Sequence, residues 1–393
     1  MRILNKNKII IGLRLIVCVA VFSGSVLRGC SNFTADNLAS LVETVCVVYE
    51  DVTVASCAAI PLSQASFDEY EHSYTIPAPG NYCLTEDITG TLFIGAFTGT
   101  MSNVTIDLNG FNITGTVESI AIGLFGTVEH VLIKNGSLAG NGLGALHFAP
   151  NGSVYTDIKV RDVMIDGVGG AAILVDSGGA PTILNYFLLE RVTTQGDTLV
   201  FASNCSMRVI DCSLNSAQNS FSSAGLSINS SDTANIFIDR STIVGFVDAN
   251  AFCYFATGGV VVATNSVLSA ALGAGASISK GSAHLIQNCL ATSAESGGFI
   301  FGSFPHTPPC ILERSVALNN LGVGFFASTS TNGAPLCLER HCIAESNSAP
   351  GFQGGLPLHC IACNNSINYF DVPTPVLPVG STDFQAGYNV SCD

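Results

Sequence analysis

Eight segments of the chain share one pattern: a glycine or small residue, then a short run that alternates apolar and polar positions. They read "GALHFA" (144–149), "AAILVDS" (171–177), "LVFAS" (199–203), "GLSINS" (225–230), "CYFAT" (253–257), "GASISK" (275–280), "GFIFGS" (298–303) and "GFFAS" (324–328). Period-two alternation between Gly, Asn and Ser turns is the mark of a strand with one buried face. Phe148, Val175, Phe201, Ile228, Phe255, Ile278, Phe301 and Phe326 are the expected inward residues, and they recur every 23 to 27 positions.

A second strand pattern falls between these segments, in stretches such as "VLIKNGSL", "IFIDRSTI", "CILERSV" and "LCLERHCI". Its expected core residues are Ile133, Val160, Leu189, Ile210, Ile238, Val262, Ile286, Leu312 and Leu338, spaced 21 to 29 apart. Two registers that drift together define one repeat of about 25 residues, in the range of repeat architectures. A single repeat cannot bury its apolar face alone, so successive repeats stack and share a narrow core. No ten-residue stretch inside the repeats has helical periodicity, and a propeller blade needs about 40–50 residues. The solenoid must be capped. Leu38, Leu41, Val42 and Val45 have helical spacing, with Thr34 or Asp36 placed to cap the start, so a short helix is expected over 34–46. The proline-rich tail breaks the repeat and is expected to cross the last coil as a loop.

"TIPAPGNYCLTEDITG", followed by "NVTIDLNGFNITG", resembles the entry coil of the pectate-lyase-like superfamily of right-handed parallel β-helix proteins. The later "IKNGSLAGN" and "IDRSTIVG" units resemble that family's strand–turn–strand repeat. The resemblance covers about residues 75 to 370. It implies an all-β, single-stranded right-handed parallel β-helix of about 11 coils. The division is then a signal peptide or anchor over 1–30, a cap region over 31–75, the β-helix over 76–370 and a cap or tail over 371–393. Eleven coils at the ~4.8 Å strand spacing make a rod roughly 50 Å long.

The first 30 residues have a basic start (Arg2, Lys6, Lys8), an apolar run from Ile9 to Leu27 and small residues after it. This is the pattern of an export signal. Three readings stay open: a cleaved signal peptide, a lipid anchor through "LRGC" at 27–30, and a retained membrane anchor. The expected location is secreted or at the cell surface. Net charge is −15 with only 14 basic residues, which argues against nucleic acid as a partner. Hydrophobic residues make up 48% and charged residues 11%, a folding composition. Nine Asn-x-Ser/Thr sequons, at Asn32, Asn103, Asn112, Asn135, Asn151, Asn204, Asn229, Asn364 and Asn389, matter only in a glycosylating host.

The resemblance implies that degradative members work on the outer face of the strand that here reads "GALHFA". The expected outward row is His147, Leu174, Val200, Ser227, Tyr254, Ser277, Ile300 and Phe325, which is mostly small or apolar. Glycoside hydrolysis needs two carboxylates about one bond, and β-elimination needs a base, commonly with a Ca²⁺ held by carboxylates. That row supplies neither set. The paired aspartates and Gly-His-Gly of polygalacturonases have no match in the chain. His147 and Asp176 are the nearest approach to a catalytic pair; the plainer reading is a surface histidine and a surface aspartate. Tyr254 and Phe325 are the best aromatic candidates for stacking on a sugar, since Trp is absent.

The second strand is more polar on its expected outer row: Lys134, Arg161, Glu190, Asp211, Asp239, Gln287, Glu313 and Glu339. Arg191, Arg240, Arg314 and Arg340 each follow an acid, at the bend where this family usually stacks Asn. The plain reading is an ion-pair ladder, and the functional one a ridge for an acidic or hydroxylated polymer. Of 15 cysteines, 13 lie beyond Cys30. Cys337, Cys342, Cys360 and Cys363 sit about one coil apart and are expected to form bridges among themselves, with buried thiols or a zinc site as alternatives. No cofactor is expected, because no glycine loop links a strand to a helix. The preferred function is non-catalytic binding or presentation of a polysaccharide or surface protein. The alternatives are a lyase or hydrolase with a divergent site at His147 and Asp176, and an oligomeric envelope component.

Overall fold

The computed structural model describes residues 59–392, apart from 69–71, 117–119, 142, 151, 177, 179–181, 217–223, 246–249, 281–282, 303–309, 329–336, 373–375 and 379–388. The expected export segment and the 34–46 helix fall outside these residues. The described chain is a right-handed parallel β-helix, the hand that parallel crossovers favour. Among the described residues every pairing is parallel, and before the tail each joins a strand to its equivalent one repeat away. Each turn contributes to three faces. Ile122–Asn141 threads all three: residues 122–126 pair with 92–96, 131–134 with 104–107, and 137–139 with 112–114. Among the described residues no helix is long and apolar enough to cross a membrane.

Register decides which side chains enter the core. On the second face one inward column runs Ile133, Val160, Leu189, Val209, Ile238, Ala263, Ile286, Leu312 and Glu339. The expected column has Ile210, Val262 and Leu338 at three of these places, each one residue away. On the first face Val200, Tyr254 and Phe325 point inward, where the pattern places Phe201, Phe255 and Phe326. The physical reason is common to five of the six. Each lies in a run such as "LVF", "YF", "FF", "VI" or "VVV" with apolar residues at adjacent positions, so no polar neighbour fixes the phase. A one-residue slip then exchanges the two faces. Leu338 is the exception, because the register carries the charged Glu339 inward in its place.

Volume is balanced across the narrow core. Phe299, Phe325, Phe352 and Tyr369 stack with ring centroids 5.3, 4.8 and 5.2 Å apart and planes within 10° of parallel. The third face answers with Ala291, Ala317, Ala344 and Ala362 on successive rungs, all fully buried. A Cβ on Gly298 would come within 3.0 Å of the Ala317 methyl and 2.6 Å of the Gly324 carbonyl. Small residues there make room for the aromatic column, as close packing requires.

Two polar ladders fix the bends. From the strand ending at Lys134 onward, the residue after each second-face strand takes the left-handed conformation: Asn135, Asp162, Arg191, Asp211, Arg240, Asn265, Asn288, Arg314, His341 and His359. Next in line come Cys212, Ser241, Ser266, Cys289, Ser315, Cys342 and Cys360. Their hydroxyls and thiols donate to the carbonyl two residues back, as Ser241 does to Asp239 at 2.9 Å and Cys342 to Arg340 at 3.4 Å. The hydroxyls of Ser241, Ser266 and Ser315 also accept the N–H of the preceding rung at 3.1–3.3 Å. At another bend Asn320, Asn347 and Asn365 form an amide ladder: Asn320 Nδ2 donates to Asn347 Oδ1 at 2.8 Å, and Asn347 Nδ2 to Asn365 Oδ1 at 2.7 Å. The tail departs from the expected loop, because Asn389–Ser391 adds a strand beside Ile361–Cys363.

Candidate functional site

The outward row on the first face is His147, Leu174, Leu199, Ser227, Cys253, Ser277, Ile300 and Phe326 by register. Tyr254 and Phe325 are therefore not surface aromatics. Tyr254 is fully buried, and its hydroxyl sits 2.8 Å from the Ala234 carbonyl and 3.2 Å from that of Gly258. Burial pushes its phenol far above the ordinary range. Phe325 is clamped between Phe299 and Phe352. His147 is only 9% exposed. Asp176 lies on the next rung, two residues past the partner of His147. Its carboxylate accepts the N–H of Gly178 at 3.0 Å and closes its own turn.

The charged ridge of the second face forms two columns. One runs Asp107, Lys134, Arg161, Glu190, Ile210, Asp239, Thr264, Gln287, Glu313, Arg340. Asp211 belongs instead to the bend column, between Arg191 and Arg240. Arg191 grips Asp162 with two bonds of 2.6 and 2.9 Å, and Arg240 grips Asp211 at 2.7 and 3.0 Å. Glu190 sits between Arg161 and Arg191 at 2.7 and 2.5 Å, while Arg240 also bonds Asp239. Arg191 holds the Asp162 carboxyl below its usual range, and Arg240 does the same for Asp211. The charges neutralise one another along this ladder. Glu339 departs from its expected place: the register sets Arg340 beside Glu313 and turns Glu339 into the core beside Leu312.

The cysteines also sort differently. Cys363 bridges to Cys392, outside the expected set of four, while Cys337, Cys342 and Cys360 are buried thiols. With Cys363 committed to that bridge, the Cys360–Cys363 spacing does not make a zinc pair. Among the described residues no group of three or more His, Cys, Asp or Glu is arranged to hold a metal ion.

A site that the sequence pattern missed lies on the outer second face. Left-handed residues at Asn103, His130, Asp157 and Tyr186 stack along one corner. The next rung lacks this residue, because Leu184 pairs with Cys205 but Phe187 with Met207. Asn185 and Tyr186 thus oppose Ser206 alone. This is a β-bulge, a device that re-aims a side chain and increases local twist. A shallow depression of about 290 Å³ opens beside it, lined by Tyr186, Ser206, Arg208, Asn235, Phe237 and Val260 among others. The Arg208 guanidinium lies over the Phe237 ring, 4.9 Å from its centroid, in a cation–π contact. Arg208 and Asn235 are exposed and Tyr186 and Phe237 half-buried. No lining residue is a carboxylate. The arrangement offers aromatic surface, a hydroxyl, an amide and one cation. It has the means to hold a hydroxyl-rich ligand, and none of the paired acids that glycoside cleavage needs. The signal in the sequence was faint: "LNYFLLE" (184–190) is one residue longer than the following "CSMRVI" (205–210), which shows only once the partner strands are aligned.

No known family profile matches the sequence, and no curated protein matches it. Among solved structures, the crystal structure of Dettilon tailspike protein (gp208) is similar at 12% identity and a TM-score of 0.35, over 81% of this chain and 62% of that one. The catalytic domain of a GH87 alpha-1,3-glucanase in complex with nigerose is similar at 11% identity and a TM-score of 0.24, over 85% of this chain and 67% of that one. The chain thus spans less than two thirds of the tailspike chain, and these likenesses concern fold alone.

Proposed function

We propose that this chain is a non-catalytic β-helix, secreted or displayed at a cell surface, that binds a polysaccharide in the depression at Tyr186, Arg208, Asn235 and Phe237. One observation carries the reading: a bulge that exposes an aromatic beside a second aromatic, a guanidinium and an amide, with no carboxylate in the lining. Sugar rings present apolar faces to aromatics and hydroxyls to polar groups, so this chemistry suits them. The Cys363–Cys392 bridge supports export, because disulfides persist in oxidising compartments. The test is binding to an array of neutral and acidic glycans, compared with Phe237→Ala and Arg208→Ala. A ligand whose affinity falls at least tenfold in both variants supports the site. Release of reducing ends or unsaturated products from a polymer would overturn the non-catalytic reading in favour of a lyase or hydrolase.

A specific observation favours a surface protein as the second reading. Phe237, Val262, Leu285, Ile311, Leu338 and Leu356 follow one another on six rungs of the outer second face. All are partly or well exposed. Contiguous apolar surface of this kind marks interaction sites. Introducing Ile311→Asp should abolish capture of such a partner and leave glycan binding at the depression unchanged.

A further inference from the structure

Six cysteines in the last four rungs repeat one spatial relation. Cys363 and Cys392 sit one rung apart on the third face, with Cα atoms 4.7 Å apart, and are bridged. Cys310 and Cys337 are direct register partners one rung apart on the second face. Both are buried, and their thiols are within hydrogen-bonding reach of each other. Cys342 and Cys360 occupy successive places in the bend ladder, immediately before the paired residues Ile343 and Ile361. Their thiols are in hydrogen-bonding reach too. Neighbouring strands lie about 4.7–4.9 Å apart, inside the Cα separation that disulfides accept.

We propose that Cys310–Cys337 and Cys342–Cys360 are two further disulfides, formed as the chain folds under oxidising conditions. With Cys363–Cys392 they make a covalent ladder in which each of three successive rung-to-rung steps is closed by its own bridge. Cys310 ties its rung to that of Cys337 and Cys342, Cys360 ties that rung to the next, and Cys363 ties the next to the closing strand of Cys392. The other free cysteines serve as internal controls. Cys205 pairs with Leu184 and Ala234, and Cys253 with Ser227 and Ser277. Cys212 and Cys289 have Ser241 and Ser315 as next-rung neighbours in the bend ladder. None of these four has a cysteine at the adjacent position.

Each closure joins two sulfurs and releases two protons and two electrons. The acceptor is a disulfide, either a small-molecule disulfide or that of a thiol oxidoreductase, which is reduced to two thiols. One thiolate attacks the donor to give a mixed disulfide, and the second displaces the donor's remaining thiolate. The attacking thiolate must be exposed, and in the folded chain burial screens all four thiols from the donor. Exchange therefore precedes closure of the rungs. The ladder lies where a solenoid needs it, since terminal repeats have a neighbour on one side only.

The test is peptide mapping of the full chain. Denatured, reduced protein is refolded in a glutathione redox buffer or with excess reductant, then unfolded, alkylated, digested and analysed by mass spectrometry. Protein purified directly from an oxidising expression compartment is mapped in parallel. The expected result is linked peptides for Cys310–Cys337, Cys342–Cys360 and Cys363–Cys392, with Cys205, Cys212, Cys253 and Cys289 alkylated. Cys342→Ser should lose only its own bridge and leave Cys360 alkylated; serine already fills that column at Ser241, Ser266 and Ser315. Complete alkylation of Cys310, Cys337, Cys342 and Cys360 in protein from the oxidising compartment, or a bridge between Cys337 and Cys342, would overturn the proposal.

Discussion

Glu339 is a carboxyl group in an aliphatic column, and replacing it should stabilise the fold more as pH rises. Its side chain is fully buried between the rungs of Leu312 and Pro357. Neither carboxyl oxygen has a hydrogen-bond partner, and a Cβ on Gly355 would come within 2.3 Å of Oε1, so the glycine makes its room. Burial, and to a lesser extent the nearby Cys360, push its pKa well above the usual carboxylate range. The sign follows from linkage. The folded state holds this proton more tightly than the unfolded chain, so stability is fullest below the unfolded pKa of about 4.3. Above it, stability falls by about 1.4 kcal/mol per pH unit until the folded carboxyl itself ionises. Glu339→Gln removes the titration. Glu339→Leu also removes an unsatisfied buried polar group, worth about 1–3 kcal/mol at any pH. The assay is urea unfolding of wild type and both variants at pH 5, 6, 7 and 8, taking differences so that all other carboxylates cancel. The stabilisation should grow from pH 5 upward in both variants, and Leu should exceed Gln throughout. A pH-independent difference, or a Glu339→Leu protein less stable than wild type at pH 8, would refute the reasoning.

Phe325→Ala should cost about 3–5 kcal/mol, because it cuts the aromatic stack at its centre; a loss under 1 kcal/mol in chemical denaturation would contradict its place in the core. Asn347→Ala should cost about 1–3 kcal/mol by stranding the amide ladder on both sides, read from faster amide exchange at Asn320, whose N–H Asn347 Oδ1 accepts, as well as from unfolding. Arg191→Ala should change stability by less than about 1 kcal/mol, since its pairs are exposed. It should also raise the Asp162 titration seen by carboxyl NMR: the Arg191 contact depresses that pKa, so its small contribution is present above the unfolded value and is lost as pH falls through the folded one.

The candidate site was much less legible in the sequence than the fold. His147 and Asp176 did fall on adjacent rungs, as the repeat spacing implies, but spacing is silent on depth. The structure buries most of the histidine and commits the aspartate to its own turn. The arginine column at the bend was readable because Arg recurs at one fixed offset; its alternation with Asp162 and Asp211 was not, because Asp211 sits one residue out of the expected row. The Tyr186 depression depends on a missing bend residue in the next rung, a comparison between two strands that neither strand contains alone.

Sequence alone determined that the chain coils with a repeat of about 25 residues, that its strands stack in parallel, and that Gly, Asn and Ser mark the bends. These follow from local periodicity and turn chemistry, which act within one repeat. Tertiary structure decided the phase. At "YF", "FF" and "VVV" both neighbouring positions suit a core by composition, and only register against the adjacent rung selects the buried one; at "CLER" register overrides composition and buries the acid. That choice placed Tyr254, Phe325 and Glu339 inside, and it set Cys310 opposite Cys337.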